Sequence, residues 1–382
     1  MTPIYDVIVA GAGPAGAAAA HVLARGGARV LLLEKARLPR YKPCGGGLTP
    51  RARARSSLAM TCIPETAATS LGLRGWGRLV DCDLPAPIGM VMRDRFDAYL
   101  VEQAVASGAE LRDGTPLTAL EPTGTALRVQ AGSTVLHARY LIGADGANGV
   151  TARIAGFDPG SEPATAIEAE LAVPERIRAR YERTALLDFA TVRGGYAWIF
   201  GKGDHLSAGV YTIDAQTRRD LRPALAAFLD GHPDLRERRM LLQRGHRVPL
   251  AGGRRTRWRG LVLLAGDAAA LADPLTGEGI SYALASGQRA GATMLAALHS
   301  GSTALAGYDR YLRHDLCADL RYAWLVAAVT YRYPSFGLRL TENHPHMRDL
   351  AAAAISGTLE YRTLARHLLQ RAPKLLRYVG QG

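Results

Sequence analysis

At 382 residues, 48% hydrophobic and 21% charged, the chain has room for two or three cooperating domains and a sizeable core, which excludes a disordered or fibrous protein. Its 47 Lys and Arg against 34 Asp and Glu leave a net charge of +13, favouring anionic partners such as phosphate-bearing ligands or acidic lipid surfaces. No nucleic-acid partner is expected, because no basic run is interleaved with aromatics and no DNA- or RNA-binding motif is present.

Taken in order, "YDVIVAGAGPAGAAAAHVLARGGARVLLLEKA" reads as strand, glycine turn, alanine-rich helix and strand, one βαβ half of a dinucleotide fold. Ile4 to Ala10 suits a central parallel strand, and the helix from about Pro14 should end at Gly26 and Gly27. The chain opens directly into this strand, so no signal peptide is expected. The loop "RYKPCGGGLTP" and a basic, helical "TPRARARSSL" follow, then a less regular Gly- and Pro-rich stretch over 61–90. "RDRFDAYLVEQAVASGAEL" has helical periodicity, with Phe96, Leu100 and Ala104 on one face. "ALRVQAG" and "STVLHAR" suggest a small β-meander, and "YLIGADGANGVTARIAG" a strand breaking into a Gly-Asp turn.

Between about 161 and 260 short strands separated by turns, interrupted by a helix over 221–229, predict a second, mostly antiparallel sheet. "GLVLLAGDAAALADPLTGEGISYALASGQRAG" then returns to strand, glycine-acid turn and long helix, and residues beyond about 303 read as helices. The longest apolar run there, "AWLVAAVTY", is too short to span a bilayer. The fold class expected is α/β. A Rossmann-type cofactor domain (1–60, 94–160 and 258–302) interleaves with a sheet domain for substrate (61–93 and 161–257), and C-terminal helices (303–382) complete it.

Four cysteines, Cys44, Cys62, Cys82 and Cys317, form no CxxC pair and have no histidine at metal-ligand spacing. A reducing cytoplasm and no metal site are therefore expected. His344 and His346 in "NHPHMRD" lack an acidic or cysteine companion and are expected in a solvated loop.

The chemistry sits in the loops. "GAGPAG" places Gly11, Gly13 and Gly16 in a GxGxxG turn between strand and helix, and Glu34 ends the next strand at the spacing a ribose contact needs. The helix N-terminus then offers free N–H groups and a positive dipole end to a pyrophosphate. These features leave FAD and NAD both open. "LLAGDAAALADPLTGEGI" selects FAD, since Asp267 can accept from a ribityl hydroxyl and Gly277 and Gly279 open a helix towards the isoalloxazine carbonyls.

With these motifs together, the chain resembles the geranylgeranyl reductase family, flavoproteins in the larger group shaped like p-hydroxybenzoate hydroxylase. The resemblance rests on "GAGPAG", "LLLEKARLPRYKPCGGGLTPRA", "MRDRFDAYL", "IGADGANGVTAR", "GYAWIFGKG" and "GDAAALADPLTGEGI", in that order. It implies FAD contacts at Ala15, Gly16, Glu34, Cys44, Gly45, Arg93, Leu117, Asp267, Gly279 and Ile280, with Arg95 a neighbouring alternative to Arg93. It implies that the triple-glycine loop lies beside the flavin, with Cys44 near the reactive face as a thiol that holds or protonates an alkene, or as a small packed hydrophobe. Lys42 either binds a phosphate or points to solvent. Tyr196, Trp198 and Phe200 share one strand face, which in the family lines the substrate channel; its usual flanking prolines are replaced here by Arg193 and Gly201.

The function implied is hydride transfer from reduced FAD to the double bonds of an isoprenoid or prenyl-lipid substrate, with Cys44, Tyr196 and Trp198 as the candidate catalytic residues. The alternatives are an FAD monooxygenase or halogenase on the same fold, and a non-catalytic flavin-binding scaffold. The electron donor expected is NADPH, binding transiently, or a carrier protein such as ferredoxin. The basic "RTLARHLLQRAPKLLRYV" is either a peripheral membrane contact or a docked helix with a solvated Arg face.

Overall fold

The computed structural model describes residues 4–60, 64–158, 160–254 and 256–379, the stretch 371–379 by its backbone alone. Strand β1 (Ile4–Ala10), helix α1 (Pro14–Arg25) and strand β2 (Val30–Leu33) form the opening βαβ unit, followed by β3 (Gly47–Leu48) and α2 (Pro50–Ala54). A long hairpin of β4 (Thr66–Gly75) and β5 (Arg78–Met90) leads into α3 (Arg93–Ala106) and β6 (Glu110–Arg112). The meander is β7 (Leu117–Thr123), β8 (Ala126–Ala131) and β9 (Thr134–Gly143), closed by the short α4 (Thr151–Ile154).

Next come β10 (Ala164–Ala172), α5 (Glu175–Arg178), β11 (Thr184–Asp188), β12 (Gly195–Gly201), β13 (Leu206–Thr212), α6 (Arg222–Gly231) and β14 (Arg239–Val248). β15 (Trp258–Arg259) and β16 (Val262–Leu264) lead to α7 (Ile280–Ser300). Five further helices follow: α8 (Ala306–Tyr311), α9 (Cys317–Arg332), α10 (Pro334–Asn343), α11 (Pro345–Ser356) and α12 (Tyr361–Val379).

Two sheets carry this chain. The first has the order β15-β16-β9-β1-β2-β6, with β8 and β7 hanging from β9, and β1 runs parallel to both its neighbours. Val7, Ile8 and Val9 are fully buried, as expected of a parallel strand covered on both faces. The second sheet has the order β14-β10-β13-β12-β11-β4-β5-β3 and is antiparallel except where β11 joins β4. The α/β class with a dinucleotide sheet, a mostly antiparallel sheet and C-terminal helices is as expected.

Small residues bring the two cofactor-side helices together. A Cβ on Gly287 of α7 would lie 2.1 Å from the carbonyl oxygen of Ala15, and one on Gly291 would lie 2.8 Å from that of Ala19. α1 and α7 therefore pack backbone to backbone. Their N-cap residues, Gly13 and Gly279, offer no side chain, and at α7 the Glu278 carboxylate accepts from the Ser281 N–H at 2.7 Å.

Three local expectations are corrected. Residues 66–90, read as irregular, form the β4–β5 hairpin; the prolines of β5 fall where its pairing with β4 jumps from Asp83 to Ile88. "STVLHAR" and "YLIG" are one strand, β9. His344 and His346 are not in a solvated loop: His344 occupies the N-cap position of α11 and His346 lies in its first turn, its ring stacked on His367. Cys62 lies outside the described residues. Among the described residues, no helix is long and apolar enough to cross a membrane.

Candidate active site

A cavity of about 630 Å3 lies between the two sheets. Every sequence-nominated residue lines it except Arg95, the alternative to Arg93, and Gly16, which is buried behind the turn. A Cβ on Gly16 would sit 1.8 Å from the carbonyl oxygen of Gly11, and Gly11 itself, at φ 103°, has the Ala144 carbonyl oxygen 2.3 Å from its Cβ position. Turn, helix and adjoining loop thus interlock without side chains.

Charge on this wall is arranged in pairs. Glu34 accepts from the backbone N–H of Ala12 at 3.0 Å and of Ala36 at 3.1 Å. Arg93 makes a bidentate contact with the buried Asp97 at 2.7 and 2.9 Å, and Arg40 donates to the same carboxylate at 3.0 Å. Arg95 points elsewhere, to Glu65 at 2.8 Å. The alternative between the two arginines therefore falls to Arg93 as the cavity residue. Lys42 faces the cavity rather than solvent, 3.3 Å from His246 and 3.9 Å from Asp267. Burial works against the Asp267 charge, but His246 and Lys42 outweigh it and hold its pKa at about 2.

The triple-glycine loop joins the two walls. Gly47 and Leu48 pair with β5, so the loop ends as a strand of the second sheet. The fully buried Lys202 donates to the carbonyls of Gly45 and Val91, each at 2.8 Å. A Cβ on Gly46 would fall 2.1 Å from the Val91 oxygen and 2.2 Å from the Lys202 ammonium, while one on Gly45 would touch the Phe200 ring at 3.0 Å. The protein itself crowds these glycines. The Cys44 N–H donates to Glu168 at 2.9 Å, and its thiol accepts from Gly46 N at 3.3 Å.

The second wall is one face of the antiparallel sheet. Tyr196, Trp198 and Phe200 of β12 stand opposite Tyr211, Gly209 and Ser207 of β13, which stand opposite Ala166, Glu168 and Glu170 of β10. Trp198 lies over the bare Gly209, whose Cβ position is 2.3 Å from the indole. Tyr196 and Tyr211 are anchored through their hydroxyls to the carbonyls of Thr276 and Pro274 in the other wall. Leu71, Ile88, Leu187 and Ile355 complete an apolar end. Gly201, where the family pattern has proline, is held bare by the Tyr181 carbonyl 2.4 Å from its Cβ position, and Arg193 is an exposed partner of Asp214.

Sequence reasoning missed Tyr41, Glu168, Glu170, Lys202, His205 and His246. Glu168 and Glu170 alternate with apolar residues in "AIEAEL" and look like the wet face of a strand, yet both faces of β10 are buried. Lys202 did carry a signal, a charge directly after the apolar "YAWIFG".

Comparison with known proteins assigns the class. Residues 4–317 match the family described as FAD binding domain. A menaquinone reductase of Mycolicibacterium smegmatis is 34% identical over 325 residues, 77% of each chain. A geranylgeranyl diphosphate reductase of Rhodobacter capsulatus is 31% identical over 323 residues, 78% of this chain and 77% of that one. A solved geranylgeranyl bacteriochlorophyll reductase-like protein of Thermoplasma acidophilum shares the fold, with a TM-score of 0.78 over 99% of this chain and 98% of that one at 20% identity. The chain belongs to the FAD-binding domain family, in its geranylgeranyl reductase branch.

FAD is the cofactor, and the cavity fits it. Two helix N-termini with glycine at the N-cap open onto it, that of α1 with no side-chain cap and that of α7 with the Glu278 carboxylate on the Ser281 N–H, and the basic groups Arg40, Lys42 and Arg93 line the same space.

Proposed function

We propose that the protein is an FAD-dependent polyprenyl reductase that saturates the carbon–carbon double bonds of a geranylgeranyl-type chain. One observation carries this reading: a wall built for a dinucleotide faces, across a single cavity, an aromatic and apolar wall suited to an isoprenoid. The name of the Rhodobacter relative, a geranylgeranyl diphosphate reductase, supports it at the level of substrate class.

The turn from Gly11 to Gly16, with Ala15 and the N-terminus of α1, would hold the pyrophosphate, and Glu34 the ribose. Arg93 would neutralise the phosphates, and Asp267 would accept from the ribityl chain. Gly279 and Ile280 at the start of α7, with Cys44, Gly45 and Leu117, would border the ring. Reduced FAD, when bound, supplies the hydride. An isolated alkene is unpolarised, so the chain contributes alignment, worth ~7–11 kcal/mol in favourable cases, and exclusion of water. The faces of Tyr196 and Trp198 suit the partial positive charge that develops on the alkene. The electron donor is NADPH or a carrier protein.

The test is anaerobic incubation of the reduced holoenzyme with geranylgeranyl diphosphate, followed by product mass. A gain of two hydrogens per double bond is expected. Strict dependence on oxygen, with oxygen or halide in the product, would replace this reading by that of a monooxygenase or halogenase.

A further inference from the structure

Alkene reduction consumes a proton as well as a hydride, and the aromatic wall has no acid of its own. The polar end of the same sheet face has two. Glu168 is 3% exposed and lines the cavity. Its Oε1 accepts from both the Tyr41 hydroxyl, at 2.6 Å, and the Cys44 N–H, at 2.9 Å, which leaves Oε2 to carry a proton. The Tyr41 hydroxyl is also 3.2 Å from Glu170 Oε1. Glu170 Oε2 lies 3.1 Å from His205 Nε2, and His205 Nδ1 is 2.6 Å from Asp204, whose side chain is 88% exposed. This row of exchangeable groups runs from the cavity to solvent. At its inner end Glu168 stands in register with Gly209 and Trp198, so the acid borders the indole that the substrate chain would cross.

We infer that Glu168 supplies the proton taken up by the double bond, and that His205, Glu170 and Tyr41 return a proton to it from solvent. The inference rests on the reductase reading. The balance closes as follows. The π pair of the alkene forms a new C–H bond with the proton leaving Glu168 Oε2. The hydride, drawn from the reduced cofactor with that cofactor's two-electron oxidation, forms the other. Glu168 is left as a carboxylate and takes the Tyr41 proton at Oε1, Tyr41 is refilled through Glu170 and His205 from water, and a half-turn of the carboxyl group brings the new proton to the Oε2 position.

The surroundings favour an acid. Burial, then the Glu170 charge, push the Glu168 pKa up to about 7, against the lowering effects of Tyr41, Lys202 and the Cys44 N–H. Arg244 and His246 face it from β14. Burial opposes charge on His205, but the neighbouring Glu170 and Asp204 carboxylates outweigh it and raise its pKa. Because the folded-state value of Glu168 is raised, the acid form is populated below about pH 7 and lost as pH rises through it. Proton donation should fall over the same window.

The experiment uses Glu168→Gln in the FAD-loaded enzyme, since glutamine keeps the size and the Oε1 acceptor. Wild type is first mixed, reduced and anaerobic, with geranylgeranyl diphosphate across a pH series. The variant should keep its FAD content and spectrum, lose about a hundredfold or more in cofactor reoxidation, and lose the limb near pH 7. Independently of turnover, infrared difference spectra of wild type without substrate should show a carboxylic-acid band that disappears as pH rises through about 7 and is missing from the variant. His205→Gln should leave the first turnover near the wild-type rate and slow later ones. Wild-type rate and pH profile in Glu168→Gln would overturn the inference and leave the reductase reading standing. A wild type that reduces no prenyl chain would overturn that reading itself. Should the variant fail to hold FAD, the wild-type infrared titration decides: a band lost near pH 7 supports the proposal, and no such band refutes it.

Discussion

The two walls of the cavity are made by opposite means. The dinucleotide wall is mostly backbone, with glycines whose Cβ positions are filled by neighbouring carbonyls and two helix N-termini that have glycine at the N-cap. The wall of the second sheet is mostly side chains, in which aromatics and buried acids from β10, β12 and β13 are brought into register. A backbone wall is intolerant of any added atom but indifferent to pH. A side-chain wall tolerates substitution but titrates. Asp267, with its pKa lowered to about 2, favours the folded state above its ordinary value of 3.8 and loses that contribution only as pH falls through about 2. Glu168 shifts the other way, so the pH response near neutrality belongs to the second wall.

The largest effect that would sharpen this contrast is Gly16→Ala. Its methyl would have to occupy a point 1.8 Å from the Gly11 oxygen, so FAD content, read from visible absorbance after reconstitution, should fall to background. Full flavin retention would break the comparison at its firmest point. Trp198→Ala comes next. It should cost about 3–5 kcal/mol in denaturant unfolding and abolish prenyl turnover, while FAD still binds. Loss of FAD in that variant would show that the walls are not separable.

Lys202→Met should be smaller. It strips a charged donor from the carbonyls of Gly45 and Val91, at a cost of about 2 kcal/mol measured by thermal unfolding, and loosens the loop that carries Cys44. The last test is the pH-dependent stability of Glu168→Gln. A raised folded-state pKa means that the wild-type contribution is present below the ordinary value of 4.5 and is lost as pH rises through about 7. The variant should therefore gain on wild type by about 3 kcal/mol between these limits and hold the gain above them. A constant difference across that range would place the Glu168 carboxyl outside the low-dielectric cavity.

The same contrast explains what could be read in advance. Gly11, Gly13, Gly16 and Glu34 are legible because the dinucleotide wall is local: turn, helix and strand fall within one stretch of sequence, and a glycine has few other reasons to stand where it does. Asp267 and Gly279 are legible for the same reason. Glu168 and Glu170 were not, because alternation with apolar residues ordinarily marks a solvated face, and here Tyr41 and the triple-glycine loop, more than a hundred residues earlier, cover it. The β4–β5 hairpin was hidden by Pro85 and Pro87, which fall where its pairing is interrupted. The crowding of Gly46 by Lys202 is a tertiary fact with no local trace.

The most direct trial is rapid anaerobic mixing of the reduced holoenzyme with geranylgeranyl diphosphate while the flavin absorbance is followed. If one cavity holds both the cofactor and the isoprenoid, the oxidised spectrum should return without oxygen, at a rate that saturates with prenyl concentration. A flavin that stays reduced until air is admitted would contradict that arrangement.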